Sequence, residues 1–111
     1  MIRVLTTLAV LAVMVPAIGQ AGDVERGREK SVVCQACHGP DGNGVGDPQY
    51  PVLAGQYADY LAHALRSYRT GERQNVIMQG FVATLSEQDI RDLSAFYAAQ
   101  SGPLTDLRDL K

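Results

Sequence analysis

The 111-residue sequence contains few of the cysteines and histidines that build structural zinc sites. It has two cysteines and two histidines, so a structural zinc site with four such ligands would have to use all of them. These residues are Cys34, Cys37, His38 and His63. Adjacent residues such as Cys37 and His38 are poorly placed to bind one tetrahedral ion, and the sequence therefore disfavours structural zinc.

Long apolar runs and blocks of like charge are also scarce. Acidic and basic residues are interspersed and the formal net charge is -2, which argues against a nucleic-acid-binding surface. The apolar run Val4–Val15 is about a dozen residues long, whereas a membrane-spanning helix needs ~20. It follows Arg3 and precedes Pro16 and several small residues, the pattern of a secretory signal peptide. We predict that residues 1–21 are a cleaved signal peptide and that residues 22–111 form one exported domain, with an uncleaved membrane anchor as the alternative.

The hydrophobic pattern predicts an all-α fold, because no segment shows the alternation expected of a strand. The predicted helices run from Asp23 to about Val33, over residues 57–69, and from Ser86 to about Gln100. Asp23 and Ser86 are N-cap residues by type, and Gly71 is suited to end the middle helix. Glycines and prolines in residues 39–55 predict a loop. The inward faces are predicted to carry Tyr57, Leu61, Ala64, Leu65 and Tyr68 in the middle helix and Ile90, Leu93 and Tyr97 in the last.

The most informative motif is Cys34-Gln35-Ala36-Cys37-His38. Cys-x-x-Cys-His is the attachment pattern of c-type haem, in which the two thiols bind the vinyl groups and the histidine ligates the iron. A thioredoxin-like dithiol is the main alternative, but that motif normally follows a strand, and none is predicted here. A simple disulfide would leave His38 without a role. The motif therefore predicts one covalently bound haem, with Cys34 and Cys37 as attachment points and His38 as an axial ligand.

Met78 is the candidate for the second axial ligand. Met1 and Met14 lie in the predicted signal peptide, which leaves Met78 as the only methionine of the predicted domain. In a domain without haem a lone methionine would be read as a core residue, but His and Met together are the ligands of cytochrome c iron. His63 is the competing ligand, on a predicted helix beside its apolar face.

Several further segments extend the pattern over nearly all of residues 22–111. They are Gly22 to Gly27, Asp41 to Gly44, Tyr50 to Gln56, Gly71 to Met78 and Leu85 to Ile90. With the haem motif, they resemble the bacterial class I cytochromes c, and two of them, Tyr50 to Gln56 and Leu85 to Ile90, are particularly similar to the di-haem cytochrome c4 family and its short single-haem relatives. One motif implies one haem, so the chain resembles half of a di-haem protein. The expected fold is the class I cytochrome c fold, with helices wrapped around one covalently attached haem.

The resemblance also implies roles for individual residues. It implies that the Pro51 carbonyl accepts a hydrogen bond from Nδ1 of His38, and that Leu53 packs on the haem face. Gly27 would lie where the first helix crosses the last, against Leu93 and Tyr97. The polar candidates for contacts to the haem propionates are Gln56, Tyr57, Tyr60 and Arg73.

Ligation of the iron on both faces favours one-electron transfer over ligand activation. We therefore expect a periplasmic electron carrier that meets its redox partner proteins transiently, with no enzymatic activity, no nucleic-acid partner and no membrane span after signal cleavage. A dedicated cytochrome subunit that accepts electrons from a dehydrogenase such as a flavoprotein is the alternative. A haem sensor or enzyme in which Met78 dissociates is a third.

Overall fold

The computed structural model describes Met14 and residues 21–105, and this part of the chain is helical, with no strand. The helices are α1 (Val24–Lys30), α2 (Gln35–His38), α3 (Ala58–Thr70), α4 (Val76–Val82) and α5 (Glu87–Ala98), with a 3₁₀ turn (Ser31–Cys34) between α1 and α2. The predicted all-α class is therefore confirmed. The predicted signal peptide lies outside the described residues apart from Met14 and Ala21, and it stays a prediction.

The predicted helix ends agree with the capping side chains. The Asp23 carboxylate accepts a hydrogen bond from the Arg26 amide at 2.8 Å, and Ser86 forms a reciprocal capping box with Asp89 at the start of α5. Gly71 ends α3 with φ of 79°, in the left-handed region. The sequence therefore placed these three boundaries within about one residue, as expected when a cap side chain or a glycine defines the end of a helix.

Helices α1 and α5 cross at Gly27, which is buried. A β-carbon at Gly27 would collide with the backbone carbonyl of Asp92 and meet the side chain of Phe96. The predicted crossing glycine is thus in place, but its predicted contacts, Leu93 and Tyr97, were wrong by one residue along α5. Those two residues lie on the adjoining stripe of α5 and line the internal cavity instead.

A buried carboxylate joins the same two helices. Asp92 is fully buried and accepts hydrogen bonds from the Asp23 amide at 2.9 Å, Arg26 Nε at 3.2 Å, Lys30 Nζ at 2.7 Å and Gln88 Nε2 at 2.8 Å. Burial opposes ionisation of this carboxyl group, but the bonds from Lys30, Asp23, Gln88 and Arg26 outweigh it and hold the pKa of Asp92 well below its ordinary value. The α1–α5 contact is therefore electrostatic as well as steric.

The predicted inward residues of the last helix are buried, since Ile90, Leu93 and Tyr97 are all at most 4% exposed. Tyr57 was wrongly predicted to face inward. It precedes α3 in an extended conformation and is 54% exposed, because the helical spacing does not begin until Ala58. Helix α4 was not among the predicted helices.

Candidate haem site

An internal cavity of 570 Å³ lies between the α2 segment, the 49–56 loop and helices α3, α4 and α5. This volume is within the roughly 300–1,000 Å³ typical of cofactor and ligand sites. All of the site residues predicted from the sequence line it: Cys34, Cys37, His38, Pro51, Leu53 and Met78. The fold thus brings together residues that are up to 44 positions apart in the sequence, from Cys34 to Met78.

His38 is the most restrained side chain of the cavity wall. It is only 7% exposed, and its Nδ1 lies 2.9 Å from the backbone oxygen of Pro51. A carbonyl oxygen can only accept, so Nδ1 carries the proton and Nε2 keeps a free lone pair. This tautomer is the one in which Nε2 can bind a metal, and the hydrogen bond fixes the ring orientation.

The loop that follows α2 positions the Pro51 carbonyl. The Gly44 amide donates to the backbone oxygen of His38 at 2.8 Å, and the Leu53 amide donates to that of Gly42 at 2.7 Å. Gly42 has φ of +80°, and a β-carbon there would meet the ring of Tyr97 at 2.7 Å. The loop therefore folds tightly back on α2 and α5, which explains its high glycine content.

Tyr50 is a residue of the site that the sequence analysis missed. Its ring lies edge-on to the His38 imidazole, with ring centroids 6.5 Å apart and an interplanar angle of 62°. It is a second restraint on the imidazole, beside the Pro51 hydrogen bond. Its position next to Pro51 was the available signal, because that places its backbone beside the carbonyl that contacts His38.

Met78 reaches the cavity from α4, whose N-terminus is capped by Asn75. The Asn75 side-chain oxygen accepts hydrogen bonds from the amides of Ile77 at 3.1 Å and Met78 at 3.0 Å. The competing ligand, His63, lies elsewhere. It is exposed, it is not among the described residues that line the cavity, and its Nε2 is 3.4 Å from Ser67 Oγ.

The family model for cytochrome c matches residues 24–99 of this chain. The chain belongs to the cytochrome c family. Cytochrome c4 from Pseudomonas aeruginosa is 42% identical over 80 residues, covering 72% of this chain and 39% of that protein. Cytochrome c-554(548) from Halomonas halodenitrificans is 42% identical over 83 residues, covering 72% of this chain and 99% of that protein.

Solved structures agree with this assignment. The reduced recombinant cytochrome c4 from Pseudomonas stutzeri superposes with a TM-score of 0.70 at 40% identity, over 74% of this chain and 47% of that one. The chain is also 36% identical over 73 residues to a thiosulfate dehydrogenase electron acceptor from Stutzerimonas stutzeri, which is 66% of this chain and 34% of that protein. The chain thus spans less than half the length of the curated cytochromes c4 that it matches, but nearly all of the Halomonas protein.

Membership of this family implies a covalent haem c, and the residues present fit that group. Cys34 and Cys37 are unpaired thiols, both half-buried on the cavity wall, and burial raises the pKa of the Cys34 thiol. The hydroxyl oxygen of Ser94 is buried beside the cavity without a hydrogen-bond partner in the described part of the chain. An apolar cavity with two free thiols, an oriented imidazole and a thioether supplies each type of contact that haem c requires.

The structure places three of the four polar candidates for propionate contacts on the cavity wall. Gln56, Tyr60 and Arg73 line the cavity, whereas Tyr57 is not among its described lining residues. Leu53 lines the cavity and packs against the core cluster, and its packing on a haem face stays a prediction.

Proposed function

We propose that this protein is an exported carrier of single electrons, with one haem attached through Cys34 and Cys37 and ligated by His38 and Met78. When bound, the haem supplies an iron that accepts and returns one electron. The observation that carries the proposal is the shared cavity, in which an imidazole in the metal-binding tautomer, a methionine and two free thiols meet.

The residues of the chain have distinct roles in this proposal. Pro51 and Tyr50 hold the His38 ring, which would let its Nε2 bind the iron in a fixed orientation. Met78 would provide a soft, neutral sulfur, a type of ligand that favours ferrous iron and raises the reduction potential. Because His38 and Met78 would both be committed to holding the iron, the proposal assigns no catalytic residue and no enzymatic activity to the chain.

Electrons would pass through the cavity rim, where apolar side chains reach the surface. Val33, Ile77 and Phe81 line the cavity and are 59%, 56% and 42% exposed. The sequence from Gln74 to Ser86, which contains α4, has no charged residue. Exposed apolar side chains of this kind are typical of protein-contact surfaces, so partner redox proteins would approach on this side in small, transient complexes.

The proposed location is the periplasm. It rests on the signal-peptide pattern of residues 1–21 and on the redox conditions under which c-type haem is attached. Within residues 21–105, no helix is long and apolar enough to cross a bilayer.

The ligand assignment is tested by visible spectroscopy of Met78→Ala beside Gln79→Ala. Met78→Ala opens one axial position, so we expect the methionine–iron charge-transfer band of the ferric protein to disappear and the reduction potential to fall. Gln79 is the next residue of α4 and is not among the described cavity residues, so Gln79→Ala should keep both properties. An unchanged ferric spectrum in Met78→Ala would show that Met78 is not a ligand.

A narrower function is supported by one comparison. Similarity to the thiosulfate dehydrogenase electron acceptor favours a dehydrogenase as the electron donor, which would make this protein its dedicated cytochrome. Stable copurification with a larger dehydrogenase chain at native expression levels would support this version. A free monomer that is reduced equally fast by unrelated donors would contradict it.

A further inference from the structure

The Tyr97 hydroxyl is a buried polar group that the fold of residues 21–105 leaves without a complete hydrogen bond. Tyr97 lies on α5, its side chain lines the cavity, and the residue is only 4% exposed. Buried tyrosine hydroxyls usually have a partner, because a buried polar group without one lowers the stability of the folded state. The group that this hydroxyl can reach is therefore informative about the site.

Local packing holds the Tyr97 ring in place. The Phe96 ring lies beside it with ring centroids 4.9 Å apart, and a β-carbon at Gly42 would come within 2.7 Å of one of its ring carbons. The Tyr97 backbone oxygen accepts a hydrogen bond from the Gly55 amide at 2.9 Å. The phenol oxygen is therefore fixed by the fold, and only its hydrogen is free to rotate towards an acceptor.

Cys34 and Ser31 are polar neighbours of the Tyr97 hydroxyl. Cys34 packs against the core cluster that contains Tyr97. Burial raises the pKa of the Cys34 thiol, and an interaction with the Tyr97 hydroxyl opposes that rise. Burial and the Cys34 sulfur in turn raise the pKa of Tyr97, whereas Ser31 lowers it. These reciprocal effects indicate that the phenol lies beside one of the two predicted attachment sulfurs.

The two neighbours differ in their relation to the cavity. Ser31 donates its hydroxyl hydrogen to the Arg28 carbonyl oxygen at 2.7 Å and is not among the described residues that line the cavity, whereas Tyr97 and Cys34 both line it. A cysteine sulfur carries a hydrogen only as the free thiol. Once it is bonded to a haem vinyl carbon it can only accept, so the phenol would be the donor in such a pair.

We propose that the Tyr97 hydroxyl donates a hydrogen bond to the Cys34 sulfur in the haem-loaded protein, and that Tyr97 is a positioning residue that raises the reduction potential. The inference rests on the proposed haem function and deepens it. A hydrogen bond donated to the sulfur draws electron density from the haem substituent to which the sulfur is bonded, and hydrogen bonding around a haem is one way in which a protein sets its potential. The positive end of the O–H dipole stabilises the more electron-rich ferrous state.

The first test is a potentiometric titration of the haem-loaded wild type, Tyr97→Phe, Ser31→Ala and Tyr57→Phe. Tyr97→Phe keeps the ring and removes only the hydroxyl, so the equilibrium constant for reduction should fall about threefold, equivalent to roughly 30 mV for one electron. Ser31→Ala removes the other neighbouring acceptor and should leave the potential unchanged. Tyr57→Phe is the matched control, because Tyr57 is 54% exposed and is not among the described residues that line the cavity.

Three results of this titration would overturn the inference. They are an unchanged potential in Tyr97→Phe, an equal fall in Tyr57→Phe, and an equal fall in Ser31→Ala, which would show that the phenol acts through Ser31 instead of Cys34.

Guanidinium unfolding of the same haem-loaded proteins gives a second readout, whose sign is decisive. If the hydroxyl stays without a partner, Tyr97→Phe removes a buried unpaired group and should raise the midpoint of unfolding. If the hydroxyl donates to Cys34, the same variant loses a hydrogen bond and the midpoint should fall. A raised midpoint in Tyr97→Phe would therefore contradict the proposed bond.

A third readout applies even if Tyr97→Phe does not retain haem. Transfer of the wild type into D₂O replaces the phenol hydrogen and should shift the carbon–sulfur stretching band of the Cys34 thioether in the resonance Raman spectrum. The shift should persist in Tyr57→Phe and vanish in Tyr97→Phe, and a wild type without any shift would overturn the inference. Failure of the proposed function would look different, because the wild type would then lose its haem on acid–organic extraction or lack the spectrum of His/Met ligation.

Discussion

Replacing Asp92 with asparagine is expected to destabilise the protein strongly, because it removes the buried charge between α1 and α5. Oδ1 of Asp92 accepts from the Asp23 amide and Gln88, and Oδ2 accepts from Arg26 and Lys30. Asparagine has nearly the same shape but presents one oxygen and one NH₂ group. Whichever way the amide is oriented, the NH₂ group faces two donors, so one of these two pairs of bonds is lost.

The expected loss of stability depends on the burial of Asp92 and on whether its freed partners can form other bonds or be hydrated. Breaking a buried ion pair costs about 3–5 kcal/mol. Lys30 keeps its bond to Asp89, and the Arg26 side chain is 44% exposed and can be hydrated, so we expect the lower end, about 3 kcal/mol. For a domain of this size, that lowers the melting temperature by roughly 12–24 °C.

The assay is thermal and guanidinium unfolding of the haem-loaded protein, followed by far-ultraviolet circular dichroism between pH 7 and pH 3. The folded-state pKa of Asp92 lies below its ordinary value of 3.8, so its contribution is fully present above the unfolded pKa and declines as pH falls through the folded pKa. The stability difference between wild type and Asp92→Asn should therefore narrow below about pH 4, by about 1 kcal/mol per pH unit.

An exposed aspartate provides the control. Asp59 lies in the first turn of α3 and is exposed, so Asp59→Asn should cost under about 1 kcal/mol. The electrostatic account of the α1–α5 contact would be refuted if Asp92→Asn cost as little as Asp59→Asn. It would equally be refuted if the two aspartate variants and the wild type lost stability in parallel below pH 4.

The other predictions concern the helix crossing and a helix end. Gly27→Ala should cost at least about 2 kcal/mol, because its β-carbon collides with the Asp92 carbonyl. At Gly80 the added carbon meets nothing within 4 Å beyond its chain neighbours and the backbone of its own helix, so Gly80→Ala should be neutral or stabilising by up to about 1 kcal/mol. Equal melting temperatures for these two variants would contradict the steric argument. Ser86→Ala should cost about 1 kcal/mol through loss of the capping box; chemical denaturation measures this, and Ser101→Ala, in an exposed segment after α5, should have no effect.

The sequence predicted the chemically distinctive groups of the cavity wall, because they are concentrated in one motif and one methionine. Cys34, Cys37 and His38 lie within five consecutive residues. Their presence on one wall of the cavity could therefore be predicted without knowledge of the tertiary fold. Met78 was predicted by elimination, since the other two methionines fall in the predicted signal peptide. The caps at Asp23 and Ser86 were equally local, because each depends on hydrogen bonds to amides three residues away.

The features that the sequence did not reveal depend on distant contacts. Asp92 looks like part of a solvated helix face, and its burial arises from α1, more than sixty residues away in the chain. The residues of α5 that face Gly27 could not be predicted either, because two adjacent rows of side chains on α5 are both buried. Helix α4 has only seven residues and contains Gly80, so its periodicity is too short to distinguish from a loop.

The shortness of α4 has a consequence for local unfolding of the protein. Of its seven residues, only Val82 is buried, and an isolated helix shorter than about 12 residues is marginal in water. The α1–α5 pair, in contrast, is joined by the buried Asp92 cluster. Local opening should therefore begin on the Met78 side and leave the His38 side in place. Heat or denaturant would then first displace the Met78 side of the cavity. That change would be reversible, because a haem bound to Cys34 and Cys37 would remain attached to the opposite side.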